Sequence, residues 1–158
     1  MKWKTICLLT FVMLVTWASS ASAQDSSAAK FDEAFAEVVS GKYDGVIDVH
    51  SGGHVLGFEI ADATSGYDTH AKMIIAAASE SISACARSSL SKDTEAASFE
   101  VEMRVTPSRN ASHIRVTTDK LGHGVAECFK RELEEADQDE SDSEKEGAVR
   151  VVVEWNPD

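Results

Sequence analysis

The apolar positions of this chain change their period several times, and each change marks an element boundary. Residues 6–17 (ICLLTFVMLVTW) form one unbroken apolar run. In residues 30–40, Phe31, Ala34, Phe35, Val38 and Val39 recur at helical spacing, and Gly41 supplies a stop. Residues 45–49 and 54–60 are rich in Val, Ile, Leu and Phe around Ser51-Gly52-Gly53, which predicts a β-hairpin. After a break at Ser65-Gly66, residues 70–90 return to helical spacing. Met73, Ala76, Ala77, Ile82, Cys85 and Ala86 share one stripe, and Ser81, Ser83, Ser88 and Ser89 fall on the polar side.

The second half repeats this order. Residues 98–106 alternate, with Phe99, Val101, Met103 and Val105 on one face and Glu100, Glu102 and Arg104 on the other. Residues 107–111 turn the chain and 112–117 return as a strand. Val125, Cys128, Phe129 and Leu133 mark a further helix, residues 137–147 (DQDESDSEKEG) read as an acidic loop, and 148–155 (AVRVVVEW) as a closing strand. The order α, ββα, ββα, β predicts an α+β fold, an antiparallel sheet with helices on one face. It divides residues 30–158 into two hairpin–helix repeats, 45–90 and 98–136, and the strand 148–155. Val149, Val151 and Val153 alternate with Arg150, Val152 and Glu154, and Asn156-Pro157 ends the strand. It is expected at a sheet edge, since proline cannot donate to a ladder.

The run 6–17 follows Lys2 and Lys4 and precedes Ala21-Ser22-Ala23, the order of a secretory signal peptide cleaved before Gln24. It is shorter than the ~20 residues of a stable span. Cleavage of residues 1–23 leaves 135 of 158, one ordinary domain behind a short linker at 24–29. The signal holds two lysines and no acid, so its removal moves the net charge from −12 to −14. Such a surface disfavours nucleic acid and anionic lipid. The expected location is the periplasm or the outside of the cell, with no stable membrane insertion after cleavage.

The exported part keeps Cys85 and Cys128, each on a predicted helix. Export favours oxidation, so an inter-helix disulfide is expected, with two buried free thiols as the alternative. His50, His54, His70, His113 and His123 fall at strand ends or in loops and lack metal-ligand spacing, so they read as surface residues. The acidic loop begins D-x-D-x-S like a calcium loop, but Asp142 takes the glycine position and Ala148 that of the bidentate Glu. Asn110-Ala111-Ser112 has sequon form. Asp44 and Asp48 flank a strand without other catalytic context, and no cofactor motif is present.

From Met73 onward, the sequence places a Cys-bearing helix (SISACARSSL), a hairpin (FEVEMRVTPSRNASHIRV) and a glycine loop (TTDKLGHGV). A second Cys-bearing helix (AECFKREL) and a strand (VRVVVEW) follow. This resembles the AgmX/PglI C-terminal domain of exported bacterial proteins, itself similar to the C-terminal domain of TonB. The resemblance covers residues 73–158, and 45–90 resembles a further TonB-type hairpin and helix. Cys85 and Cys128 match the family's two cysteines. Ala86 stands where the family often has an aromatic residue, Pro107-Ser108-Arg109-Asn110 replaces its tighter turn, and the acidic loop replaces a short connection. The resemblance implies a TonB C-terminal-like fold and a noncatalytic envelope module.

The expectation is therefore a protein–protein interaction module. It would pair with an extended segment of an envelope partner at the edge formed by Val149, Val151, Val153 and Trp155. On that reading, proline at Val151 blocks capture and spares the fold. A small metal- or ligand-binding periplasmic protein using His50 and His54, and a self-associating structural subunit, are the alternatives.

Overall fold

The computed structural model describes residues 41–136 and 145–157. The expected signal peptide and linker, the first amphipathic stretch and most of the expected acidic loop lie outside the described residues. Eight elements follow in order: β1 (Gly45–His50), β2 (His54–Ala63), α1 (Asp68–Ala77), α2 (Ser79–Ser89), β3 (Ala97–Val105), β4 (Ala111–Asp119), α3 (Val125–Glu135) and β5 (Gly147–Asn156). The strands make one antiparallel sheet of order β1-β2-β5-β3-β4. The fold class is thus α+β, with five strands and three helices among the described residues.

The closing strand is central. β5 pairs with β2 on one side, Phe58 opposite Val153, and with β3 on the other, Phe99 opposite the same Val153. The expected partner-binding edge of Val149, Val151, Val153 and Trp155 is overturned. All four side chains are buried, none more than 2% exposed. The reason is geometric: alternation shows that one face of a strand is buried and says nothing of its lateral neighbours. Pro157 follows Asn156, the last paired residue, so it interrupts no ladder.

Each core strand sends alternate residues under the helices. Phe99, Val101, Met103 and Val105 are buried as their alternation predicts, and they meet Val149, Val151 and Val153 from β5. Phe99 and Phe129 pack edge to face with centroids 5.5 Å apart. Trp155 is almost wholly enclosed, and its Nε1 donates to Thr94 O at 3.0 Å. Burying an indole of this size contributes ~5 kcal/mol gross, before entropy.

The long helix expected over 70–90 is two helices meeting at Ala78, whose ψ of −1° departs from the helical value. In α1 the buried residues are Ala71, Ile74 and Ile75, while Met73 is 43% exposed and Ala76 and Ala77 face solvent. The stripe is one position out of phase from the expected one because two β-branched isoleucines bury more apolar area than Met73 and its alanines. In α2, Ser83 is buried, not part of a wet face.

The helix layer is joined by Cys85 of α2 and Cys128 of α3, a disulfide pair with Cα atoms 6.2 Å apart. That separation suits the bond. Among the described residues no helix is long and apolar enough to cross a membrane.

A central β5 reverses the expected result of proline at Val151. Every amide of a central strand faces a neighbour, so Val151→Pro removes a ladder bond and disrupts buried packing. We expect a loss of at least about 3 kcal/mol in urea unfolding. A midpoint equal to the parent's would show that β5 is dispensable.

Candidate partner-binding surface

With β5 in the middle, the sheet edges are β1 and β4. They differ. On β1, Ser83 Oγ donates to Asp48 O, and Arg87 Nε donates to Val49 O at 2.8 Å. Arg87 Nη2 also reaches Ser83 Oγ at 3.1 Å, which orders the pair. Just before β1, Lys72 of α1 holds the Asp44 carboxylate at 2.7 Å, and that carboxylate also accepts the Ile60 N–H. Helix α2 therefore reaches over the end of β1 and occupies carbonyls that a partner strand would need, while α1 fixes the approach to β1 through Asp44.

β4 pairs only with β3, and among the described residues no side chain bonds to its backbone. Its ladder with β3 shifts between Glu100 and Val101 and between Glu102 and Arg104, so β4 is bulged twice. His113, with φ of +50°, sits at one of these shifts. Bulges shorten the regular part of an edge and re-aim its side chains.

The face away from the helices is charged in rows. Asp62, Arg150, Glu102 and Arg115 lie side by side across β2, β5, β3 and β4. Arg115 Nη2 donates to Glu102 Oε2 at 2.6 Å. In the next row Arg104 lies opposite Ala148, whose methyl leaves a gap. Thr64 fixes that floor, donating its N–H to Ala148 O at 2.8 Å and accepting the Ala148 N–H on Oγ1 at 3.0 Å. The result is a hollow of about 520 Å³ walled by Arg104, Arg115, Arg150, His113, Asp62 and Glu102. Arg104 and Arg150 are exposed and have no ion-pair partner among the described residues. Arginine here offers planar paired donors that match a carboxylate. Reading the strands singly identified Arg104 and Arg150 as outward-facing, but their adjacency needs the strand order.

Elsewhere on this face Tyr43 lies across Gly57, where a Cβ would come within 2.6 Å of the ring. Its hydroxyl donates to Glu154 Oε2 at 2.8 Å, and Lys42 stands over the ring. Burial pushes the Tyr43 phenol above its usual 10.0, and Glu154 reinforces the shift.

The histidines expected at the surface are partly engaged. His54 is buried, pairs through Nδ1 with Pro157 O and stacks on Trp155. His50 Nε2 pairs with Leu90 O at 2.7 Å, and the two imidazoles stand 6.3 Å apart. Each ring thus spends one nitrogen on a backbone carbonyl. Among the described residues the grouping of metal-type ligands is Cys85, Cys128 and Glu132. Its sulfurs are bonded to each other, and Glu132 is held by Arg131 at 2.7 Å, so the oxidised chain presents no free ligand set there. Arg131 Nη2 lies 3.4 Å from Cys85 Sγ.

No family model, curated protein or solved structure matches this chain.

Two outcomes test these contacts. Closing the 43-residue separation between Cys85 and Cys128 stabilises by about 4 kcal/mol in the chain-entropy account. Replacing both with alanine should cost about that in urea unfolding, and a cost near zero would show that the crosslink constrains nothing. For Tyr43, a raised folded pKa means its contribution is intact below the usual 10.0 and is lost as pH rises through the folded value. The stability advantage of the parent over Tyr43→Phe should therefore be flat below that pH and shrink above it. A flat difference throughout would refute the shift.

Proposed function

We propose that this chain is an exported, noncatalytic interaction module that takes an extended segment of an envelope partner alongside β4. The observation that carries this reading is the asymmetry of the edges: α2 occupies β1 carbonyls through Ser83 and Arg87, while among the described residues the β4 backbone bonds to no side chain and pairs with β3 alone. An unpaired edge is a template for strand addition, with main-chain bonds for affinity and side-chain sites for selectivity. The Cys85–Cys128 pair and the signal-like start support an oxidising location in the periplasm or outside the cell. The element order also supports the resemblance to the AgmX/PglI C-terminal domain and, through it, to a TonB C-terminal-like role in coupling envelope proteins.

The bulges limit how much the edge can do alone. A short regular stretch offers a few ladder bonds at about 0.5–1.5 kcal/mol net each. Against the cost of association this is weak, so side-chain anchoring has to supply the remainder.

The exported protein used as bait on envelope extract, followed by hydrogen exchange on the captured complex, tests the reading. Protection gained at residues 111–119 is expected. Capture of nothing, or protection confined to other elements, would overturn it. Mutual protection of β4 in the bait alone, growing with its concentration, would instead support the self-associating subunit.

A further inference from the structure

We propose that the hollow around Ala148 is a carboxylate site. It would take glutamate side chains of an acidic, extended partner peptide. The proposal rests on the reading of β4 as the partner's edge and names the chemistry of that partner.

Position carries the argument first. Arg115 and His113 belong to β4, and Arg104 to its neighbour β3, so these walls of the hollow begin at the open edge. A strand laid on β4 would run about 4.8 Å from it and send alternate side chains over the same face. Arg115 is the first group they would meet, and its side chain is 71% exposed although it holds Glu102. Arg104 is one strand further in, within reach of a long acidic side chain. Arg150 closes the far wall as a diagonal neighbour of Arg104, because Arg104 pairs with Ala148 two residues before it.

Charge decides the class of ligand. Arg104, Arg115 and Arg150 are half of the six arginines in a chain of net charge −12, yet they share one hollow. Two of them are without ion-pair partners among the described residues, so a carboxylate would satisfy donors that no described acid holds. Asp62 and Glu102 stand in the same walls. They penalise a dense dianion more than single carboxylates spaced along a peptide. Long-range repulsion from the acidic chain acts against a polyanion such as nucleic acid, whereas a contact inside the hollow lies within the screening length of about 8–10 Å.

The test uses the exported protein and a fluorescein-labelled peptide of alternating Glu and Val, read by fluorescence anisotropy at low salt. The same peptide with Gln for Glu is the control. The Glu peptide should bind and the Gln peptide should bind at least about tenfold more weakly. Arg104→Gln should weaken the Glu peptide by about tenfold, and Arg104→Gln with Arg150→Gln by more. These side chains are exposed, so urea midpoints should match the parent's. Equal affinity for both peptides, an unaffected double variant, or no binding by the Glu peptide would overturn the site. Displacement by inorganic phosphate more effective than by acetate at equal ionic strength would overturn the assignment to carboxylates. Hydrogen exchange separates the two readings. Arginine-dependent binding without protection at 111–119 keeps the site and removes the edge. Protection by both peptides alike keeps the edge and removes the site.

Discussion

Insertion of β5 between β2 and β3 is the constraint on which the rest of the structure depends. Among the described residues the hairpins β1–β2 and β3–β4 share no ladder of their own, and the sheet is continuous through β5. Its pairing with β2 spans most of the described chain, so forming it costs loop-closure entropy and comes with the completed fold. A second fastener crosses the same seam in the other layer. Cys85 belongs to the helix after the first hairpin and Cys128 to the helix after the second. One half is therefore tied to the other twice, by a strand in the sheet and by a bond between helices. Trp155 adds a third tie at the strand's end, where its indole N–H meets Thr94 in the connection between the halves.

Local periodicity made most elements legible, and it failed where the answer lay in neighbours. The strict alternation of 98–105 identified β3 and its inner face, since each inner residue there is buried. Val125, Cys128, Phe129 and Leu133 likewise marked the inner face of α3. The same alternation in 148–155 misplaced β5, because a central strand of a sheet with one open face alternates as an edge strand does. In α1 the run Met73-Ile74-Ile75-Ala76-Ala77 offers apolar residues on every side, so the phase of the stripe was not set by pattern alone. His54 is buried by Trp155 and Pro157, residues about a hundred positions away. No local signal could report that contact.

The candidate surface was less legible for the same reason. Arg104 and Arg150 were each visible as outward residues, but the hollow exists only because β5 sets Ala148 opposite Arg104. The central place of β5 thus does more than close off its own edge. A central β5 exposes its Arg150 to the open face between two other charged strands, and leaves β4 to bear the edge.

The two edges then show how a small sheet can reserve one side for binding. A free edge invites pairing with copies of the same chain, and proteins limit this with bulges, charge or covering elements. On β1 the cover is α2, whose Ser83 and Arg87 take carbonyls directly. On β4 the protection is milder: bulges and the exposed Arg115 discourage a flat, neutral strand while leaving the backbone open. A copy of β4 brought alongside would set its own Arg115 and His113 near these groups, which is unfavourable unless their carboxylates compensate. An acidic strand meets the opposite condition. Charge near the edge can therefore discriminate by repulsion as well as attraction, and bulges that weaken indiscriminate pairing leave more of the selectivity to the arginines.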